Sequence, residues 1–356
     1  MDTILCDELL EEVLRRLPPR YTFSPFTSDV SLVSKRWLRL YRSSRSRLSL
    51  RLSPDNCTPP HSLSSFLSHF PHLPTLRIFT DNWNLDAELK LETLALCGIQ
   101  RGDYGFDWLW KSSKNLKRLR LQGCEGIGDD TSVSSFVNCF KGLQEVELRR
   151  CGSIVNEILT RLVENCTSLN SLLIYHQGSK EGLLQFITHS RCNLQKLDLC
   201  LPVDLEDNHL LAMAEMFRGL SSLRLYSCFL VAAEGLRSMA LAMSNKLEEL
   251  ALINCKVEPG LLTTLGQKFR NLRDLDLSEL TVRGCKGLTN ASVVSMFKSC
   301  KQLESINIMN CPGIDAEAVE LFVLNCLQLK QIHVEESKLS NVSRSWASKR
   351  FIEVIV

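Results

Sequence analysis

The residues able to do chemistry are plentiful, but their spacing argues against catalysis. The chain carries 15 cysteines, and a reactive thiol needs a neighbour that stabilises its thiolate. No two stand in a Cys-x-x-Cys spacing, which sets aside zinc ribbons and thioredoxin-type centres. Cys57, His61, His69 and His72 are close neighbours of metal-binding type, yet their spacing matches no finger pattern. The stretch "SLSSFLSHFPHL" around them reads as a repeat's helix with surface histidines. No phosphate-cradling Gly-rich loop, Gly-x-Ser-x-Gly elbow or His-Glu-x-x-His pair occurs. The chain is expected to be non-catalytic, with no catalytic residue, metal or cofactor.

The 356 residues are 44% hydrophobic and 23% charged, enough for an extensive core. A net charge of +2 gives no global reason to expect nucleic acid or an acidic membrane surface as partner. The basic run Lys35, Arg36, Arg39, Arg42, Arg45, Arg47, Arg51 lacks interleaved aromatics and reads as a solvated face. No apolar run approaches the roughly 18 residues that span a bilayer. "MDTILCDELLEEVLRR" is acidic and amphipathic, unlike a signal peptide. So many cysteines would suggest disulfides on a secreted chain, but without a signal peptide the expected setting is the reducing cytoplasm or nucleus. Asn-x-Ser/Thr sites at Asn56, Asn165, Asn290 and Asn341 matter only on an exported chain.

The cysteines belong to a repeat. "LKRLRLQGC" begins at Leu116, "LQEVELRRC" at Leu143, "LSSLRLYSC" at Leu220, "LEELALINC" at Leu247 and "LESINIMNC" at Leu303. Less regular copies begin at Leu73, Leu91, Leu169, Leu194, Leu272 and Leu329, and the long gap after Leu272 fits an insertion ahead of Cys285. Apolar residues at the fourth and sixth positions alternate with polar ones, the pattern of a half-buried strand. A helical stretch follows, as in "AEAVELFVLNC", with Val319, Leu321 and Phe322 on one face. One strand and one helix cannot bury their apolar sides alone, so about 11 neighbours must stack. The predicted fold is an α/β solenoid, a horseshoe with a concave parallel sheet and convex helices, over residues 51–356. Cys124, Cys151, Cys228, Cys255 and Cys311 fall where strands end, and Cys139, Cys166, Cys300 and Cys326 near helix ends. Small, weakly donating thiols suit such dry turns. The pattern resembles the cysteine-containing class of leucine-rich repeats.

Residues 1–50 form a separate all-α module. "LCDELLEEVLRRLPP" puts Leu5, Leu9, Leu10, Val13, Leu14 and Leu17 on a stripe, stopped by Pro18 and Pro19. Thr27 or Ser28 is the expected cap of a second helix carrying Val30, Val33, Trp37 and Tyr41. About 40 residues rarely hold themselves together, so the apolar faces either cap the solenoid or dock on another protein. "LCDELLEEVLRRLP" followed by "VSLVSKRWLRL" resembles the F-box pattern, with Cys6 where that family has proline. The resemblance implies a substrate receptor of SCF, a cullin–RING ubiquitin ligase, whose F-box docks on the Skp adaptor. By motif position Leu5, Leu9, Leu10, Val13, Leu14, Leu17, Pro18, Val33 and Trp37 would carry that contact.

The target would lie on outward side chains of the concave sheet. Candidates are Arg118, Arg120 and Arg149, then Tyr175, His176, Arg224 and Tyr226, then Asp274 and Asp276. The expected groove is basic at one end, aromatic centrally and acidic at the other. Two alternatives remain: a repeat scaffold with a helical cap, and a small-ligand-sensing F-box receptor.

Overall fold

A computed structural model describes residues 6–16, 33–44, 47–51, 67, 70, 75–79, 91–100, 107–111, 113–126, 135–152, 154–176, 178–200, 205–243, 246–255, 257, 259–278 and 289–356. The chain divides into two compact units, residues 1–168 and 169–356.

The first unit opens with helices α1 (Asp7–Arg16) and α2 (Lys35–Ser44). Five parallel strands follow: β1 (Arg47–Arg51), β2 (Thr75–Phe79), β3 (Thr93–Cys97), β4 (Arg118–Gln122) and β5 (Glu145–Arg149). Each pairs with its neighbour in chain order. The repeat's fourth position supplies one aligned row (Leu76, Leu94, Leu119, Val146) and its sixth another (Ile78, Leu96, Leu121, Leu148). All eight are buried. Stacking strands at roughly 4.8 Å brings each row into continuous apolar contact. Beneath it, Trp110 meets Phe136 at 4.4 Å between ring centroids, and Phe136 meets Phe140 edge-on at 4.7 Å. Trp110 belongs to α3 (Asp107–Lys111). Helix α4 (Ile154–Asn165) buries Ile154, Val155, Ile158, Leu159 and Leu162, one face at helical spacing.

The second unit repeats the scheme with eight parallel strands in chain order. They are β6 (Ser171–Tyr175), β7 (Lys196–Cys200), β8 (Ser222–Tyr226), β9 (Glu249–Ile253), β10 (Asp274–Asp276), β11 (Ser305–Asn307), β12 (Gln331–His333) and β13 (Glu353–Ile355). Between them lie α5 (Lys180–His189), α6 (Asp207–Met216), α7 (Ala233–Ala242), α8 (Pro259–Lys268), α9 (Asn290–Ser299), α10 (Ala316–Asn325) and α11 (Asn341–Lys349). In α10 the buried residues are Ala318, Val319, Phe322 and Val323. Leu321, expected on that face, is only half-buried.

The leucine-rich repeat is therefore the architecture of both units, with two strands more than the repeat pattern predicts. β1 and β13 lie outside the Leu-x-x-Leu-x-Leu register, because a terminal strand has a neighbour on one side only and tolerates a weaker pattern. The sheet begins at Arg47, inside the stretch given to the front module. The insertion ahead of Cys285 lies outside the described residues.

The cysteines couple one repeat to the previous one. The Cys151 thiol donates to Leu121 O at 3.3 Å, Cys311 to Leu277 O at 3.3 Å and Cys255 to Leu225 O at 3.6 Å. At helix ends Cys139 reaches Trp110 O of the previous repeat at 3.4 Å, while Cys166 closes its own repeat by reaching Leu143 O at 3.3 Å. Each buried thiol thereby finds an acceptor in an otherwise apolar layer. Burial pushes the Cys139 and Cys326 thiols up to about 12 and Cys300 up to about 11. They are structural, protonated thiols.

Strands β3, β4, β5, β6, β8 and β9 each pass directly into a left-handed residue: Gly98, Gly123, Arg150, His176, Ser227 and Asn254. That single reversal turns the chain off the sheet, where a thiol can follow two residues after the strand.

Candidate protein-binding surfaces

Two surfaces present side chains outward in chemically specific ways. The first is the helical pair. Leu10, Leu14 and Leu40 form its core, with Trp37 and Tyr41 packed against them. Arg36 and Arg39 both pair with Asp7, at 2.6 and 3.3 Å, and Ser43 donates to Glu11 at 3.1 Å. Early residues meet early and late meet late, so the helices run in the same sense. The second helix starts later than the sequence suggests. The Ser34 hydroxyl accepts from Trp37 N at 3.2 Å, making Ser34 the cap, not Thr27 or Ser28. Val33 stands ahead of the helix.

This geometry divides the residues picked from sequence. Leu10 and Leu14 are 1% and 0% exposed, consumed by the pair's own core. Leu9, Val13 and Val33 are 57%, 51% and 57% exposed. Leu9 and Val13, four apart, share one face of α1. Trp37 is half-buried, and its indole N–H is enclosed without an acceptor among the described residues. Leu5, Leu17 and Pro18 lie outside the described residues, as do Val30, the cap candidates Thr27 and Ser28, and Cys57, His61, His69 and His72. No group able to hold a metal ion occurs among the described residues, and none of their helices is long and apolar enough to cross a membrane.

The second surface is the sheet face opposite the buried leucines. In the first unit, Arg118 and Arg120 project from β4 beside Glu145 and Glu147 of β5, as the register dictates. Arg118 Nε meets Glu145 at 2.9 Å and Arg120 Nε meets Glu147 at 3.0 Å. Arg149 Nε pairs with the other oxygen of Glu147. The carboxylate thus lies between two guanidiniums.

In the second unit the outward row couples Tyr175, Asp198, Arg224 and Glu249. The Tyr175 hydroxyl donates to Asp198 at 3.0 Å, and Arg224 reaches Asp198 at 3.8 Å and Glu249 at 2.9 Å. Ser222 donates to the remaining Glu249 oxygen at 2.8 Å. Burial opposes the Arg224 charge, but Glu249, Asp198 and Asp276 together hold its pKa above the ordinary range. Burial and then Glu249 push the Asp274 carboxyl up. Tyr226 is raised by burial first and by Cys200 second. His176 is exposed, in the left-handed turn after β6, with its ring 6.2 Å from that of Tyr175. Asp198 was absent from the sequence-derived set, although it occupies the strand position that singled out Arg224, one repeat earlier.

A cavity of about 230 Å³ lies by the ends of α9 and α10, lined by Cys300, Lys301, Gln302, Asn325, Cys326, Leu327 and Gln328. It is smaller than the roughly 300–1,000 Å³ of a drug-sized ligand site, and none of its lining residues comes from a strand.

No family model matches the chain. Among solved structures, that of the Rad7 and Elc1 complex in yeast aligns over 90% of this chain and 77% of that one, with a TM-score of 0.62 and 17% identity. The shared feature is the fold. A Bacteroides fragilis protein matches over 75% of this chain and 65% of that one, at 16% identity and a TM-score of 0.32. The chain is a leucine-rich-repeat protein in architecture.

Proposed function

We propose that the chain is a substrate-recognition subunit of an SCF ubiquitin ligase, docking on the Skp adaptor through α1 and α2 and holding a target on the sheet face for ubiquitination and degradation. The observation that carries this reading is the division on the helical pair. With Leu10, Leu14 and Leu40 closed into a core, Leu9, Val13 and Val33 remain more than half exposed. Fully burying one such side chain stabilises by roughly 1.5–3 kcal/mol, so each still holds about half that for a partner to recover. The F-box resemblance of "LCDELLEEVLRRLP" and "VSKRWLRL" names the partner, with the adaptor leading to the cullin–RING machinery. Rad7, which shares the fold, is found in a complex with Elc1, so a repeat chain of this kind can work joined to a second protein. Catalysis then lies in the conjugating enzyme, and this chain contributes proximity and orientation.

The test is co-purification of recombinant Skp adaptor with the full chain and with a Leu9→Ser/Val13→Ser/Val33→Ser variant. The variant changes exposed residues and should keep its thermal transition while losing the adaptor. Wild type that is folded and binds no adaptor refutes the reading. On the sheet face, Tyr175→Ala/Tyr226→Ala should abolish target capture and leave adaptor binding unchanged, read by ubiquitin-remnant proteomics under proteasome inhibition. Capture that persists moves the target elsewhere.

A further inference from the structure

The outward face of the first unit's sheet has a composition that specifies its occupant's charge. Read in register, β3 presents Thr93, Ala95 and Cys97 beside Arg118, Arg120 and Gln122 of β4. The three β3 residues are small and half-buried, so they floor a shallow trough one strand wide. On its far side Arg77 of β2 occupies the position opposite Ala95. The near wall is cationic and held in place. Arg118 and Arg120 use Nε for their glutamates, as given above, which fixes each guanidinium while its side chain stays 51% or 57% exposed. More than half of each side chain therefore remains accessible with its glutamate in place. Arg149 shares Glu147 with Arg120, and Arg150 follows it, exposed, in the left-handed turn. Among the described residues, the outward side chains of β4, β5 and the turn after β5 count four arginines against two glutamates, a net positive charge.

We propose that this trough binds an extended acidic segment of a partner protein, with aspartate or glutamate side chains paired to Arg118 and Arg120. Guanidiniums already braced by Nε contacts lose little further freedom on binding, and their planar forks match carboxylates. Side chains two apart on an extended ligand lie on one face at about 6.6–6.8 Å, the same repeat that separates Arg118 from Arg120 along β4. The ligand pattern is therefore acidic-x-acidic, over a floor too small to exclude its backbone. This rests on the reading of the sheet face as the target surface and supplies that target's chemistry.

Fluorescence anisotropy on the full chain tests it with a fluorescein-labelled decapeptide alternating glutamate and serine, without adaptor present. Three other probes are the lysine–serine counterpart, a phosphoserine–alanine counterpart and a single-stranded RNA decamer. The glutamate peptide should bind at low salt and weaken in 0.5 M salt, because the contact is exposed and screened. Arg118→Glu/Arg120→Glu should lower its affinity at least about tenfold, since like charges then face each other. Arg161→Glu/Lys111→Glu, away from this face, should leave it unchanged. Circular dichroism confirms that each variant is folded. Equal binding by wild type and the β4 variant, no binding of the glutamate peptide, or stronger binding of lysine peptide or RNA overturns the proposal. Tighter binding of the phosphoserine peptide overturns the assignment to carboxylates. Adaptor co-purification is independent of every arm, so failure here leaves the ligase reading separately testable.

Discussion

At the scale of single residues, the turn after each strand sets a measurable constraint. Gly123 has φ of +61° and nothing within 4 Å of where a Cβ would sit, so Gly123→Ala costs only backbone strain. That strain is roughly 1–2 kcal/mol, against about 0.4–1 kcal/mol returned by a stiffer unfolded chain. Urea unfolding should show a loss of up to about 1.6 kcal/mol. The cysteines give a second expectation. Cys6 is exposed whereas Cys139, Cys300 and Cys326 are buried, so iodoacetamide at pH 8 should label Cys6 in the native protein and the other three only after denaturation. The Cys139 thiol titrates near 9 when unfolded and at about 12 when folded. Below pH 9 both states hold the proton. Above it the unfolded state loses the proton first, so stability falls from pH 9 towards 12. Thermal melts across that window check the sign.

At the scale of elements, neighbouring repeats cap one another. Asp207 at the start of α6 accepts from Ala232 N, at 2.9 Å, at the head of α7. Gly235 in α7 makes room for it, because a Cβ there would lie 2.0 Å from Asp207 Oδ1. Gly235→Ala should destabilise by about 1–3 kcal/mol through overpacking, and Asp207→Ala by about 1 kcal/mol through the lost cap. The double variant should cost less than the sum, since removing the carboxylate removes the two closest contacts and leaves only the Asp207 Cβ at 2.8 Å. These ties were invisible in the sequence, where Asp207 and Gly235 carry no shared pattern. The strands were legible, because Leu119 and Leu121 or Leu223 and Leu225 can be buried only at that alternation. β13 was not, since "EVIV" has no leading leucine. α2 was placed too early, because Thr27 and Ser28 are as good a capping chemistry as Ser34. Arg118 and Arg120 were legible as outward residues, but their glutamates, 27 positions away, became partners only through the register.

At the scale of the whole chain, packing separates side chains that hold the molecule together from those offered to others. Sequence placed Leu9, Leu10, Val13 and Leu14 on one stripe, and nothing in their types distinguishes them. Packing of α1 on α2 does, taking Leu10 and Leu14 and leaving Leu9 and Val13. Leu14→Ala should therefore lower stability by roughly 2–5 kcal/mol, as a buried leucine does, and any lost adaptor binding would follow from unfolding. The decisive measurement is surface plasmon resonance of Skp adaptor on immobilised full chain, comparing wild type with Leu9→Ser/Val13→Ser/Val33→Ser after matched thermal melts. The account predicts tight binding by wild type and a loss of at least about tenfold in a variant that melts at the same temperature. A fully folded triple variant that binds the adaptor as tightly as wild type would contradict it.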